Sequence, residues 1–319
     1  MVPACWCLAS QPDSTSAPSR KQRGGSSPVI GETAWSHKAY DWDMPHTADA
    51  HLPDTPVATR ARIRRGEHIG PTSGLAPGFA QANLVVLPAN DALDFLRFCV
   101  RNPKPCPVIE VTDTGSPCPT NVVSDADLRT DLPRYHVFRH GELVDEPSEV
   151  LRFWRDDFVS FLLGCSFTFE WALTNAGLPL AHQAQGVNVP MYVTNRRCVG
   201  AGRFEGPLVV SMRPFGGADV ARVAEISSRF PLMHGAPVHV GDPTVLGIGD
   251  LSAPDFGDPV RLDPGEVPVF WACGATAQVV ALQARPALAI FHVPGHMFIT
   301  DRPHTDFDLE AERWSLGRY

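Results

Sequence analysis

"VPVFWACGATAQVVALQARPALAIFHVPGHMFITD", residues 267–301, is the stretch on which the fold turns. An apolar run, VPVFWA, stops at Cys273-Gly274. Thr276 then stands as the cap of a helix running to about Ala284. A second apolar run, ALAIFHV, follows and breaks at Pro294-Gly295-His296. In that order the stretch reads as a strand, a crossover helix and a second strand parallel to the first. Residues 207–242 repeat the arrangement: PLVVSM leads to Arg213-Pro214, a helix follows near Ala218–Phe230, and PVHV ends at Gly241-Asp242. Parallel strands place their carboxyl ends on one edge, and open α/β sheets bind ligands there. The expectation is that Arg213, His239, Asp242, Cys273 and His296 gather along one rim, the break after Val293 being where a strand delivers its last residues to a ligand.

Working outward, NLVVLP reads as a strand, and Asn90 or Asp91 caps a helix with an apolar face of Ala92, Leu93, Leu96, Cys99 and Val100. NPKPCP ends that helix, because proline supplies no amide donor. YHVFRHGELVDE predicts a hairpin turning at His140-Gly141. From Ser148 to Leu163 the spacing predicts an amphipathic helix, resumed over Phe167–Ala176 and stopped by Gly177 and Pro179. RARIRR, 60–65, predicts the solvated face of a first helix. Residues 1–56 are rich in Pro, Ser, Asp and Gly without sustained period and read as a disordered leader, and 304–319 read as a polar tail. The fold class expected is α/β, with mixed sheets and flanking helices.

With 319 residues, 44% of them hydrophobic, the chain can bury a full core in one large domain or two modest ones. No segment approaches the roughly 20 apolar residues of a membrane span, and Met1–Ser10 lack a secretory signal, so the expected location is cytoplasmic. Eight cysteines without a close CxxC pair predict reduced thiols and no zinc ribbon. A formal charge of −8 argues against nucleic-acid and anionic-membrane partners. Glycine-rich dinucleotide and P-loop motifs and a GxSxG elbow are missing, and no histidine spacing matches HExxH. The expectations are therefore no cofactor, no metal, a small acidic metabolite as ligand, and no bar to a homo-oligomer.

Imidazole beside carboxylate suits proton transfer near neutral pH. HGAPVHVGD supplies His239 and Asp242, and HVPGHMFITD supplies His296 and Asp301. Cys273 begins a helix, where dipole and free amides act on a thiol or an anion. Cys165 begins another, with Ser166 as its cap and Glu170 one turn on. NVPMYVTN puts Asn188, Tyr192 and Thr194 on alternate positions of an extended segment, a candidate binding wall. Arg213, with Ser211 two residues before it, is the candidate clamp for a carboxylate.

Nine segments occur together and in order: GFAQANLVVLP, FCVRNPKPCP, GELVDEP, FLLGCSFTFEWAL, NVPMYVTN, GPLVVSMRP, SRFPLMHGAPVHVGDP, VPVFWACG and PGHMFITD. Through them the chain resembles the D-glutamate cyclase family of hydro-lyases, from about Arg60 to Pro303. It departs from the family's habit at Phe291 and Val293, where Thr and Ala flank the histidine. The resemblance implies an α/β fold of two subdomains and, for the characterised branch, conversion of D-glutamate to 5-oxo-D-proline with loss of water; a hydro-lyase acting on another small carboxylic acid and a non-catalytic binding protein for small acidic metabolites are the alternative readings. For the cyclisation Arg213 would grip a carboxylate, His239 with Asp242 would take an ammonium proton, and His296 with Asp301 would protonate the departing oxygen. Amides around Cys273-Gly274 would hold the oxyanion.

Overall fold

A computed structural model of the chain describes residues 55–310. It runs α1 (Pro56–Arg64), β1 (Phe79–Pro88), α2 (Ala89–Arg101), β2 (Val108–Val111), β3 (Tyr135–Arg139), β4 (Glu142–Asp145) and β5 (Phe158–Gly164). Then come α3 (Phe167–Asn175), α4 (Ala181–Ala184), β6 (Met191–Arg197), β7 (Pro207–Gly216), α5 (Val220–Ser228) and β8 (His239–Val240). The chain finishes with β9 (Glu266–Ala272), α6 (Ala275–Ala284), β10 (Ala289–His292) and β11 (Phe298–Pro303). The α/β class holds, and every ladder pairing between these strands is antiparallel.

The larger sheet has the order β2-β5-β1-β10-β3-β4, with β11 also on β1. The smaller has the order β6-β7-β9-β8. This corrects the two parallel units. β7 and β8 do point the same way, but β9 lies between them and is antiparallel to both. β9 and β10 belong to different sheets, so α6 carries the chain across rather than back. An apolar run records that a strand is buried without recording which strand it pairs with.

The break at Pro294-Gly295-His296 has a local cause. β10 and β11 share one edge of β1, in register at Val85↔Phe291 and Ala82↔Phe298, and the intervening residues loop out. The excursion is closed by a turn in which the His296 amide donates to Val293 O, with Gly295 at φ +84°, a backbone region that favours glycine. It would leave the Leu84 N–H without its ladder acceptor. The Nδ1 of His292 accepts that bond instead, at 3.1 Å.

The predicted hairpin is present, and His140 and Gly141 both have positive φ, as a two-residue turn between twisted strands requires. Between Ser148 and Leu163 the predicted helix is replaced by a short 3-10 turn and β5. All seven residues of β5 are buried, because the strand lies between β1 and β2. A strand apolar on both faces mimics a helical stripe. α1 begins at Pro56 with Thr55 as its cap, and its basic face is solvated only in part: Arg64 and Arg65 are exposed, Arg64 being bidentate to Asp131, but Arg60 is buried and paired to Asp301 at 2.7 Å. The predicted leader, apart from its last two residues, lies outside the described residues. So does the predicted tail beyond residue 310, whose first part instead packs, with His304 and Asp308 buried. Among the described residues no helix is long and apolar enough to cross a membrane.

Alternation sorts the smaller sheet into two faces. Tyr192, Val210, Met212 and Phe270 form one cluster with Leu246 and Ile248. Val269 and Trp271 join Phe169, Leu173, Phe215, Val223, Phe230, Met233 and Ala80 in another, so helices α3 and α5 and strand β1 meet on the opposite, inner face.

Replacing His292 by Ala is expected to destabilise the protein by about 1–3 kcal/mol, the cost of an orphaned buried amide at Leu84. Urea unfolding measures it, and an unchanged midpoint would show that the imidazole does not stand in for the ladder.

Candidate active site

Two helices begin side by side at Asn83. β5 ends at Gly164, and Cys165-Ser166 lead into α3; β9 ends at Ala272, and Cys273-Gly274 lead into α6. The buried Asn83 side chain donates from Nδ2 to Gly164 O at 2.7 Å and to Leu163 O at 3.3 Å. A Cβ on Gly274 would lie 2.6 Å from that same Nδ2, so only glycine lets the second helix start come so near. Gly164 is under a similar constraint, because its Cβ would stand 1.8 Å from Leu232 O, where the turn carrying His234 crosses over.

Neither helix start has a side-chain cap. The Phe167 amide acts on the Cys165 thiol, and the Ala275 and Gly274 amides act on that of Cys273. Burial pushes both thiols up, Cys165 to about 12, and these amides offset it only in part. Sulfur is a weak acceptor. In the first turns of the same helices, Thr168 Oγ1 and Gln278 Nε2 are buried with no hydrogen-bond partner. Phe167, Cys273 and Ala275 are only half-buried, which leaves the helix starts open to solvent.

Below them on the inner face lies a charged cluster. Arg213 is fully buried and donates from Nε to Glu170 Oε1 at 2.8 Å, from Nη2 to the same oxygen and to Ser166 Oγ at 2.8 Å, and from Nη1 to Ser211 Oγ at 3.0 Å. Its guanidinium also lies over the rings of Phe169 and Trp271. The other oxygen of Glu170 is 3.6 Å from His182 Nε2. Burial would raise the Glu170 carboxyl, but Arg213 and His182 outweigh it and hold it down to about 2. His182 Nδ1 is buried and has no partner.

Of the residues expected at the site, Cys165, Glu170, Ser211, Arg213 and Cys273 come together. Arg213 is already engaged by the protein's own carboxylate, so the substrate clamp predicted for it is filled internally. The two predicted imidazole–carboxylate pairs do not form. His239 Nε2 meets the backbone carbonyl of Asp242 at 2.7 Å, whereas the Asp242 carboxylate caps Thr244. His239 packs on Phe270, on the outer face of the sheet, away from Arg213. His296 Nδ1 lies 3.2 Å from Pro294 O, while Asp301 holds Arg60 and the Ser124 amide. The predicted wall is also dispersed: Tyr192 and Thr194 donate to Leu251 O and Leu208 O on the outer face, and Asn188 lies by Gly295. Alternation along β6 puts Tyr192 and Thr194 opposite in sense to Ser211 and Arg213, which a segment read in isolation does not reveal.

Residues 159–301, which hold both helix starts and the charged cluster, match the sequence signature of the family described as D-glutamate cyclase. A protein of Rubrobacter xylanophilus, named "Putative hydro-lyase", is 66% identical over 250 residues, 78% of this chain and 96% of that protein. One of the same name from Stutzerimonas stutzeri is 59% identical over 247 residues, 77% of this chain and 93% of its own. The chain belongs to the D-glutamate cyclase family. Within the family match lie Cys165, Ser166, Glu170, His182, Arg213, Cys273 and Gly274; Asn83, which joins the two helix starts, lies before it.

Sequence reasoning passed over Asn83, His182, Thr168 and Gln278 in this cyclase-family chain. Asn83 carried a usable signal, a lone amide in an apolar strand. His182, in a four-residue helix without periodicity, carried none.

Burial holds His234, His292 and His296 each down to about 4. In the unfolded chain they titrate near 6.5, so between about 6.5 and 4 the unfolded state binds more protons. The stability they confer as neutral groups is complete above about 6.5 and is lost as pH falls toward 4. Denaturant midpoints measured from pH 7 down to pH 4 are expected to fall continuously through that window, and a flat profile would contradict the buried neutral assignment.

Proposed function

We propose that the protein is a hydro-lyase that closes D-glutamate to 5-oxo-D-proline with release of water. The observation that supports this reading most is the pair of uncapped helix starts held together at Asn83. A helix start offers amide donors and a positive dipole end to an anion, and these two are uncapped and open to solvent. Two of them side by side suit a substrate with two carboxylates. Thr168 and Gln278 supply further polar atoms in the same two turns.

Cyclisation requires the substrate ammonium to lose a proton and its nitrogen to bond to the γ-carboxyl carbon. We assign the proton to His182. Glu170 beside Nε2 favours the tautomer with its lone pair on Nδ1, the atom without a partner. Arg213 is in this reading a positioning residue: it keeps Glu170 ionised and aligned. As the C–N bond forms, the γ-carboxyl becomes a tetrahedral oxyanion facing the amides of Gly274 and Ala275. The two protons that leave nitrogen end on one carboxyl oxygen, the C–O bond breaks, and that oxygen departs as water. A proton-transfer group of this kind contributes about 10² to 10⁴ in rate, and one oxyanion donor about 10² to 10³.

The test is incubation with D-glutamate followed by chiral chromatography, with L-glutamate and small hydroxy acids alongside. 5-Oxo-D-proline is the expected product; turnover of a hydroxy acid alone would move the same site to another hydro-lyase reaction. His182→Gln is expected to lower kcat at least about a hundredfold. His239→Ala, on the outer face, is expected to leave turnover unchanged, and the reverse pattern would overturn the assignment.

A further inference from the structure

The opposite end of β1 and β5 carries a second feature. Pro88, Asn90, Asp91, His140, Arg155, Asp157, Arg203, Arg285 and Ala287 line an open depression of about 420 Å³. Pro88 pairs with Phe158 at one end of the β1–β5 ladder, and Ala82 with Gly164 at the other. Six residues of strand separate them, about 20 Å. α6 bridges the same interval, starting at Gly274 and ending beside Arg285.

Three guanidinium groups enter this depression from three separate segments: before β5, between β6 and β7, and after α6. Two carboxylates face them. Arg155 spends Nε and Nη2 on Asp157, and Arg203 uses Nη2 on Asp91. Arg285 is held only by the neutral His140 carbonyl, at 2.8 Å from Nε, and by Glu142 at 3.9 Å. The Nη1 groups of all three remain outside these bonds. The lining itself holds three guanidinium groups against two carboxylates, Glu142 not being part of it. Concavity focuses such a field, and guanidinium binds oxyanions in two-bonded forks.

We infer that this depression is a second binding site, for a small ligand bearing two or more oxyanion groups, phosphate or carboxylate, held by Arg155, Arg203 and Arg285. It is separate from the site assigned to D-glutamate and does not rest on that assignment.

The experiment is calorimetric titration of the full chain with inorganic pyrophosphate and, separately, with citrate, at ionic strength fixed by sodium chloride. Saturable binding of either is expected, and the tighter of the two tells a phosphate ligand from a carboxylate one. The double variant Arg203→Gln/Arg285→Gln is expected to bind at least about tenfold more weakly, having lost two charge-assisted donors. Ala287→Glu, an exposed change that adds a carboxylate to the lining, is expected to do the same and serves if the double variant does not fold. Glu170→Gln is expected to bind as the wild type does. No saturable heat with either anion, or binding lost in Glu170→Gln but retained in the lining variants, would overturn the site.

Discussion

One amide side chain fixes the relation between the two sheets where it matters. Asn83 stands in the middle of β1, flanked by residues that pack into the core, and its Nδ2 must be satisfied in a dry interior. It finds the carbonyls of Leu163 and Gly164 at the end of β5, and in that position it touches the start of α6, where glycine alone leaves room. A strand of the first sheet thus sets the distance between a helix that follows the first sheet and one that follows the second. Asp at 83 would keep the size and lose the donor, placing a carboxylate against two carbonyl oxygens.

The charge arrangement beneath follows from burial. A carboxylate and a guanidinium taken fully out of water hold each other only if their hydrogen-bonding capacity is used, because desolvation otherwise exceeds the attraction. Arg213 meets that demand with Glu170, Ser166 and Ser211 together with two aromatic faces. The other oxygen of Glu170 accepts from Gln183 Nε2 at 3.4 Å and lies 3.6 Å from His182 Nε2. Arg213 and Glu170 are thereby each held by more than one contact.

Much of the element content was legible in the sequence. β1, the His140-Gly141 hairpin, α5, α6 and the helix from Phe167 follow from periodicity and turn chemistry. Pairing was not legible. The runs that form β9 and β10 read as one parallel unit, yet they lie in separate sheets, because hydrophobic pattern states burial and leaves the partner open. β5 read as helix since both of its faces are apolar. For the candidate site, residue types at helix starts were informative: Cys165, Glu170 and Cys273 stand where dipoles and free amides act. Short-range pairs misled. His239 with Asp242, and His296 with Asp301, are near in sequence, but each carboxylate serves a local cap or a distant arginine. Arg213 was recognised as a fork-shaped donor, and what the sequence did not disclose is that the chain supplies its carboxylate.

The central claim is that a dicarboxylate-derived ligand is held between the two helix starts that Asn83 brings together. The most direct measurement is a crystal structure of the protein with 5-oxo-D-proline bound. The account predicts ligand oxygens within hydrogen-bond distance of amides at the starts of α3 and α6, with the ring nitrogen facing His182. A ligand seated on the outer face beside His239, with the two helix starts unchanged, would contradict it.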